Sequence, residues 1–521
     1  MYWADRLVEK LDKQKKHRVD DMKTPSGHAH VGSLRAIGTH GLVYEAMRHA
    51  GLDVDFTYVV NDMDPMDGLP VYLDKDTYQE HMGKPLYAIP APDGVSESLA
   101  AQYAHEYISA FNALGFRPTI FWSSQLYKDG KANDIIRKIL DNVEVVRKIY
   151  KEVADQDKPE GWYPLQVICP DCGKIGSSLV TDWDGEKVTF ECKKDLVEWA
   201  VGCGHTGMIS PFDGNAKLMW KLDWPAHWKM LGVTVEGAGK DHMTSGGSHE
   251  IASRVMREVL NETPPFAFLH EFFLIDGAKM GSSKGNATNA SDMVEILPPE
   301  LARFLLVRTP FQRAINFNPS VSNTIPDLFD EYDRCAKEWY KVGDDSPMGR
   351  MYQASQIDEI SKTESYLPRF RDLAQVIQFP SVDPVAYFSG RKGSALNEVE
   401  QAILSRRIDY ARTWLEKYAD TQDVYTVLPE LPESASKLDD AQKKFLHNCA
   451  DFLDSAHSTS GDELQSQLFE QTKVLEIPPQ MAFQALYTVL LGKTHGPKAG
   501  WVLFDLLRKD KEFLLKRLRL S

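Results

Sequence analysis

The chain has 521 residues, with 60 Lys or Arg against 75 Asp or Glu and a formal net charge of −15. That length exceeds what one hydrophobic core organises and predicts three or more domains. The acidic balance argues against general adhesion to nucleic acid but leaves room for a local basic face. No apolar run reaches about 18 residues, which excludes a membrane-spanning helix, and six cysteines in so long a chain exclude a secreted disulfide framework.

The first stretch, MYWADRLVEKLDKQKKHR, is amphipathic and charged, without an apolar signal core or cleavage site, so a cytoplasmic protein is expected. Met22–Arg35, MKTPSGHAHVGSLR, carries the first chemistry. Pro25, Ser26 and Gly27 form a turn-prone run. His30-Val31-Gly32-Ser33 then opens a helical pattern with Leu34, Ile37, Leu42 and Met47 on one stripe. A turn running into a helix start offers unpaired N–H groups and the dipole's positive end to an anion. His28 and His30 are placed to donate to it, and Gly32 permits close approach.

Val54–Val60 reads as a strand, followed at once by Asp62, Asp64 and Asp67. Acids beyond a strand's carboxyl end in an open α/β sheet face the ligand crevice. They hold a cationic substrate group or simply form a polar Asp-Pro turn. Residues 85–98, rich in Pro and Gly, read as a linker, and helical patterns follow at Leu99–Leu114 and Asp134–Tyr150. Cys169-Pro-Asp-Cys172, Cys192 and Cys203-Gly-His205 supply thiolates on glycine-flanked turns, and four such ligands suit a tetrahedral structural zinc. His205 is a substitute ligand.

The helix-like WPAHWKML follows Trp220, and Val233–Val235 reads as a strand before EGAGKDHMTSGGSHE. The glycines around Lys240-Asp241-His242 present backbone and polar groups to a nucleotide or amino acid. Trp220 is either core or a cation–π partner for an ammonium. Ile275–Asn286, IDGAKMGSSKGN, sets Lys279 and Lys284 in a Gly/Ser-rich loop suited to close on a triphosphate. Val342–Thr363 is charged and poor in apolar residues. Beyond about residue 365 the pattern is helical: Leu396–Tyr418, Ala441–Ala456, Glu463–Lys473, Pro479–Leu491 and Gly500–Arg519. Cys335 and Cys449 read as singly packed thiols.

These motifs carry a resemblance. PSGHAHVGSLR resembles the HIGH motif of class I aminoacyl-tRNA synthetases. IDGAKMGSSKGN is similar to the KMSKS loop in the form found in class I lysyl-tRNA synthetases, with Gly281 replacing the usual Ser and Ser282 standing where many families have the second Lys. GAGKDHMTSGGS is similar to the family's AGKDHxxxGGS segment, and the Asp62–Asp67 run resembles its DDxDxxR segment, with Asp67 in place of Arg. The likeness spans residues 20–340 and is architectural beyond.

The resemblance implies an α/β Rossmann-type catalytic domain split by a zinc-binding insertion and followed by an all-helical anticodon-binding domain. The expected boundaries are 1–98 and 216–290 for the catalytic halves, 99–215 for the insertion, 291–364 for a stem-contact region and 365–521 for the helical domain. It implies ligation of lysine to its tRNA through a lysyl-adenylate, with ATP and Mg2+. ATP would meet Ser26, Gly27, His28, His30, Gly32, Lys279, Met280, Ser282, Ser283 and Lys284, of which His30, Lys279 and Lys284 act on the phosphates. Lysine would meet Asp62, Asp64, Trp220, Asp241 and His242, and zinc Cys169, Cys172, Cys192 and Cys203. The alternatives are glutamyl or another specificity, which needs a cationic side chain in the pocket, or a catalytically idle tRNA-binding paralogue.

Overall fold

The structure is a computed structural model that describes residues 1–275, 278–279, 289–321, 323–455 and 460–520. Five strands build its central sheet: β1 (His17–Lys23), β2 (Val54–Val60), β3 (Thr119–Trp122), β4 (Val235–Gly239) and β5 (Phe266–His270). They pair in the order β5-β4-β1-β2-β3, all parallel, with Val19 opposite both Phe56 and Val235. Strands of a parallel sheet are covered on both faces, and accordingly residues 56–60 of β2 and 235–238 of β4 are buried without a break. The chain steps outward from β1 through β2 to β3, then returns to lay β4 on β1's other side. The switch point between β1 and β4 opens a crevice beyond their carboxyl ends.

The first crossover is helix α1 (Leu34–His49), and the stripe Leu34, Ile37, Leu42 and Met47 is buried as its spacing predicts. Buried Arg35 donates to the carbonyls of Thr309, Pro310 and Arg313 at 3.2, 2.8 and 3.0 Å, tying the motif helix to a segment far downstream.

Of residues 85–98, expected as a linker, the first part is packed core, while 90–97 run irregularly at the surface. Leu86 and Ile89 are buried with Met66, Tyr78, Met82 and Leu99, and the Leu86 and Tyr87 amides donate to the Asp64 and Asp62 carbonyls at 3.0 and 2.9 Å. Their apolar residues follow neither a helical nor a strand period, so no pattern announced them. The sheet runs past residue 98 through β3. The helix expected over Asp134–Tyr150 is two, Asn133–Asp141 and Val143–Ala154. The strand expected at Val233–Val235 lies over Val235–Gly239, where its glycines fit a tight contact: a Cβ on Gly237 would meet the Phe268 ring at 2.2 Å.

Two compact units divide the chain: residues 1–317 with 341–360, and residues 318–340 with 361–521. The charged, apolar-poor stretch 342–363 is therefore largely built into the first unit. There helix Pro347–Ser355 sets Arg350 against Asp5 at 2.9 Å. In the second unit every described element is helical, around Phe445, Cys449, Leu464, Leu486 and Leu503. Pro479–Leu491 matches its expected bounds. The expected Gly500–Arg519 helix breaks at Asp510, whose carboxylate caps the next helix by accepting from the Phe513 amide at 2.9 Å. Cys335 and Cys449 are buried singly.

Candidate functional site

A cavity of about 890 Å³ lies at the carboxyl ends of β1, β2 and β4. The chain leaves β1 at Lys23, turns through Pro25 and Ser26, and enters α1 by a short turn, Val31–Ser33, preceded by His30 in extended backbone. Lys23, Ser26, His30 and Ser33 line the cavity, so it faces the start of α1. His28 and Gly27 do not line it. The His28 ring pairs through Nδ1 with Glu106 at 2.7 Å and packs on Tyr72 and Tyr103. Its amide donates to the Tyr72 hydroxyl at 2.8 Å, and a Cβ on Gly27 would sit 2.4 Å from that hydroxyl. Gly32 lies in the turn itself.

The acids after β2 divide by what claims them. Asp62 is not brought into the cavity: its oxygens accept from the Ser124 amide and hydroxyl at 2.8 and 2.5 Å, capping the helix Ser123–Lys128. Burial, set against those bonds, pushes its pKa up. Asp64 and Asp67 do line the cavity. Asp64 accepts from the Thr24 hydroxyl at 2.5 Å and pairs with Lys217 at 2.9 Å. Lys217 is fully buried and also meets Asp223 at 2.5 Å, which accepts from the Tyr127 hydroxyl at 2.6 Å. Burial opposes the Lys217 charge, but Asp223 and Asp64 outweigh it and hold its pKa above the usual lysine value. Burial likewise opposes the Asp223 charge, and His227 and Lys217 pull its pKa down regardless.

Helix α2 (Trp220–Leu231) places Trp220, Trp224 and Trp228 on one face, four residues apart. Trp220, 46% exposed at the cavity mouth, stacks on Trp224 at 6.2 Å and meets the His242 ring edge-on at 5.5 Å. Asp241 and His242, on the turn after β4, also line the cavity. The backbone of Lys279 pairs with Leu274 in a short antiparallel ladder. Met280, Ser282, Ser283 and Lys284 lie outside the described residues, as does the Lys279 side chain.

Among the lining groups that escaped sequence reasoning are Lys23, Glu236 and Lys217's partner Asp223. Lys23 ends a strand that no sequence pattern announced, and Glu236 lies just past the strand expected at Val233–Val235, so neither was in view. Lys217 and Asp223 meet only through the tertiary fold.

Apart from this cavity, the Sγ atoms of Cys169, Cys172, Cys192 and Cys203 all lie within 4.8 Å of one another. The closest pairs are 3.6 Å apart, near the ~3.8 Å sulfur spacing that a tetrahedral zinc with ~2.3 Å bonds requires. Gly173 and Gly204, each following a cysteine, have φ of +71° and +88°, the left-handed turn that lets amides point at thiolates. His205 is not a fifth member, because its Nδ1 pairs with Asp171 at 2.7 Å.

A five-stranded parallel sheet, with an HxG turn and a GKDH turn facing one cavity at its switch point, defines a nucleotide-binding catalytic unit of the class I synthetase kind. The family described as tRNA synthetases class I (K), K denoting lysine, matches residues 1–358. The chain is 32% identical to the lysine--tRNA ligase of Methanosarcina barkeri (strain Fusaro / DSM 804), covering 99% of this chain and 97% of that one. It is 32% identical to the lysine--tRNA ligase of Pyrococcus furiosus over the full length of both, and 30% identical to that of Methanocaldococcus jannaschii over 99% of each. The chain belongs to the class I lysyl-tRNA synthetases.

Proposed function

We propose that the protein ligates lysine to its tRNA in two steps within this cavity. The lysine carboxylate attacks the α-phosphorus of ATP in line, the bond to the β-phosphate oxygen breaks, and pyrophosphate leaves. A hydroxyl of the tRNA's terminal adenosine then attacks the lysyl carbonyl and AMP departs. No protein nucleophile is needed, so catalysis is alignment and charge stabilisation. Magnesium accompanying ATP would neutralise phosphate charge. Ser26, His30 and Gly32 would hold the phosphates at the start of α1, with Lys279, Met280, Ser282, Ser283 and Lys284 as the further phosphate contacts that the family resemblance implies. Trp220 and His242 would flank the lysine side chain, with Asp64 and Asp241 in the acidic wall.

One observation carries the choice of lysine. Asp21, Asp64, Asp67, Asp223, Glu236 and Asp241 line the cavity, whereas Lys23 and the histidines are its only basic groups apart from buried Lys217 behind it; no arginine lines it among the described residues. Such a wall suits a cationic amino acid and offers glutamate little. His30 at the cavity speaks against an idle paralogue. Charging of tRNA with radiolabelled lysine tests the reading: lysyl-tRNA should accumulate with ATP and not without it, and no charging in the presence of cognate tRNA would overturn it.

The four thiols fit a structural zinc, and the helical unit fits an anticodon-binding role. Because metal binding energy is folding energy at such sites, Cys169→Ser is expected to remove most bound zinc and lower the melting temperature. Adenylate formation should survive better than tRNA charging. Elemental analysis of wild-type protein purified without chelator should find about one zinc per chain, and only a trace would contradict this.

A further inference from the structure

Six acids face the cavity, and three of them are already occupied. Asp64 and Asp223 share the buried Lys217 ammonium. Asp21 accepts from the Met22 amide at 2.9 Å and lies 3.9 Å from His40. Asp67 and Asp241 are exposed at the rim, where an ammonium stays hydrated and ion pairing contributes little.

Glu236 differs from all of these. It stands on β4, second strand of the sheet, and is only 5% exposed, yet its side chain lines the cavity. Oε1 accepts from the Trp224 indole N–H at 2.9 Å and Oε2 from that of Trp228. Both donors are neutral, and no Lys, Arg or His ion pair reaches Glu236 among the described residues. Burial, reinforced by Asp20 and Asp21, holds its pKa well above the usual carboxylate range. A buried carboxyl fixed by two indoles and lacking a counter-ion becomes half of an ion pair when an arriving cation stabilises its ionised form.

The approach to it has the right chemistry. Trp220 at the mouth stacks on Trp224, which is 6% exposed, and His242 stands 5.8 Å from the Trp224 ring. Aromatic faces therefore lead from solvent to the Glu236 carboxylate, a wall along which an alkyl-ammonium chain is favoured by cation–π attraction until it meets the anion.

Resting on the lysine reading above, we propose that Glu236 is the specificity residue that receives the substrate's side-chain ammonium, the role the sequence had suggested for Asp62 or Asp64. Asp64 instead shares the Lys217 ammonium with Asp223, a rigid flank in which both carboxylates are already paired.

The test is ATP–pyrophosphate exchange by the full-length enzyme with lysine and with norleucine, which matches its chain but lacks the ammonium. Glu236→Gln should lower kcat/KM for lysine by about 100-fold, mostly through KM, because a buried charge loses its partner. Norleucine should change less than about threefold, so the preference for lysine collapses. Equal losses for both amino acids would show that Glu236 only packs the indoles, and would overturn the assignment. An unchanged lysine KM would overturn it too, while lysine-dependent exchange by the wild type left the lysine reading standing. Should Glu236→Gln fail to fold, Glu236→Asp keeps the charge and withdraws it by one methylene. It should shift preference toward homolysine, one methylene longer, by several-fold, and no shift would count against the proposal. Exchange by the wild type with some other amino acid and not lysine would overturn both.

Discussion

His30→Ala is expected to slow adenylate formation by about 100- to 1,000-fold, the usual cost of removing one preorganised donor aimed at developing charge. His30 immediately precedes the turn into α1 and lines the cavity where that helix begins. In the proposed reaction its imidazole would add a donor to the amides and dipole at that helix start. The aromatic wall of Trp220, Trp224 and His242 stands on α2 and the turn after β4, apart from this corner. The loss should therefore fall on kcat for exchange and leave the lysine KM within about twofold, as expected for an interaction made only in the transition state. A wild-type exchange rate in this variant would remove His30 from the phosphate site.

Lys217→Met should destabilise the first unit by about 3–5 kcal/mol, because it leaves the buried Asp223 and its neighbour Asp64 without their shared cation. The pH dependence distinguishes this from lost packing. In the wild type Asp223 has a depressed pKa, so its contribution is present above the ordinary carboxylate value and is lost as pH falls through the folded value. Lys217, raised, contributes below the ordinary lysine value and loses that contribution only under strong alkali. In the variant Asp223 faces burial without its lysine, so protonation relieves it. The stability gap measured by urea unfolding should narrow as pH falls from 7 through the carboxylate range. A gap constant with pH would mean that Lys217 acts by shape alone. Adding Asp223→Asn to Lys217→Met should recover part of the loss.

Helix α1 and Pro479–Leu491 were legible because long amphipathic periods survive any tertiary context. The convergence of the four thiols was legible because cysteine spacing on glycine turns constrains geometry locally. The acids after β2 were legible only in part, since Asp64 and Asp67 reach the cavity and Asp62 does not. Asp62 and Asp64 alternate along the chain as a strand would have them, but Ser124, far downstream, claims Asp62 as a helix cap and turns it from the cavity. Leu86 and Ile89 were misread as linker because burial there follows an irregular path across other elements rather than a period. Glu236 lay hidden within its strand: its burial and its two indole donors come from α2, and only the folded sheet shows that no cation answers it.

The most direct measurement of the central claim is ATP–pyrophosphate exchange with each of the protein amino acids in turn. Lysine should support exchange, and glutamate should not. Exchange with glutamate in place of lysine, or with no amino acid when tRNA is supplied, would contradict it.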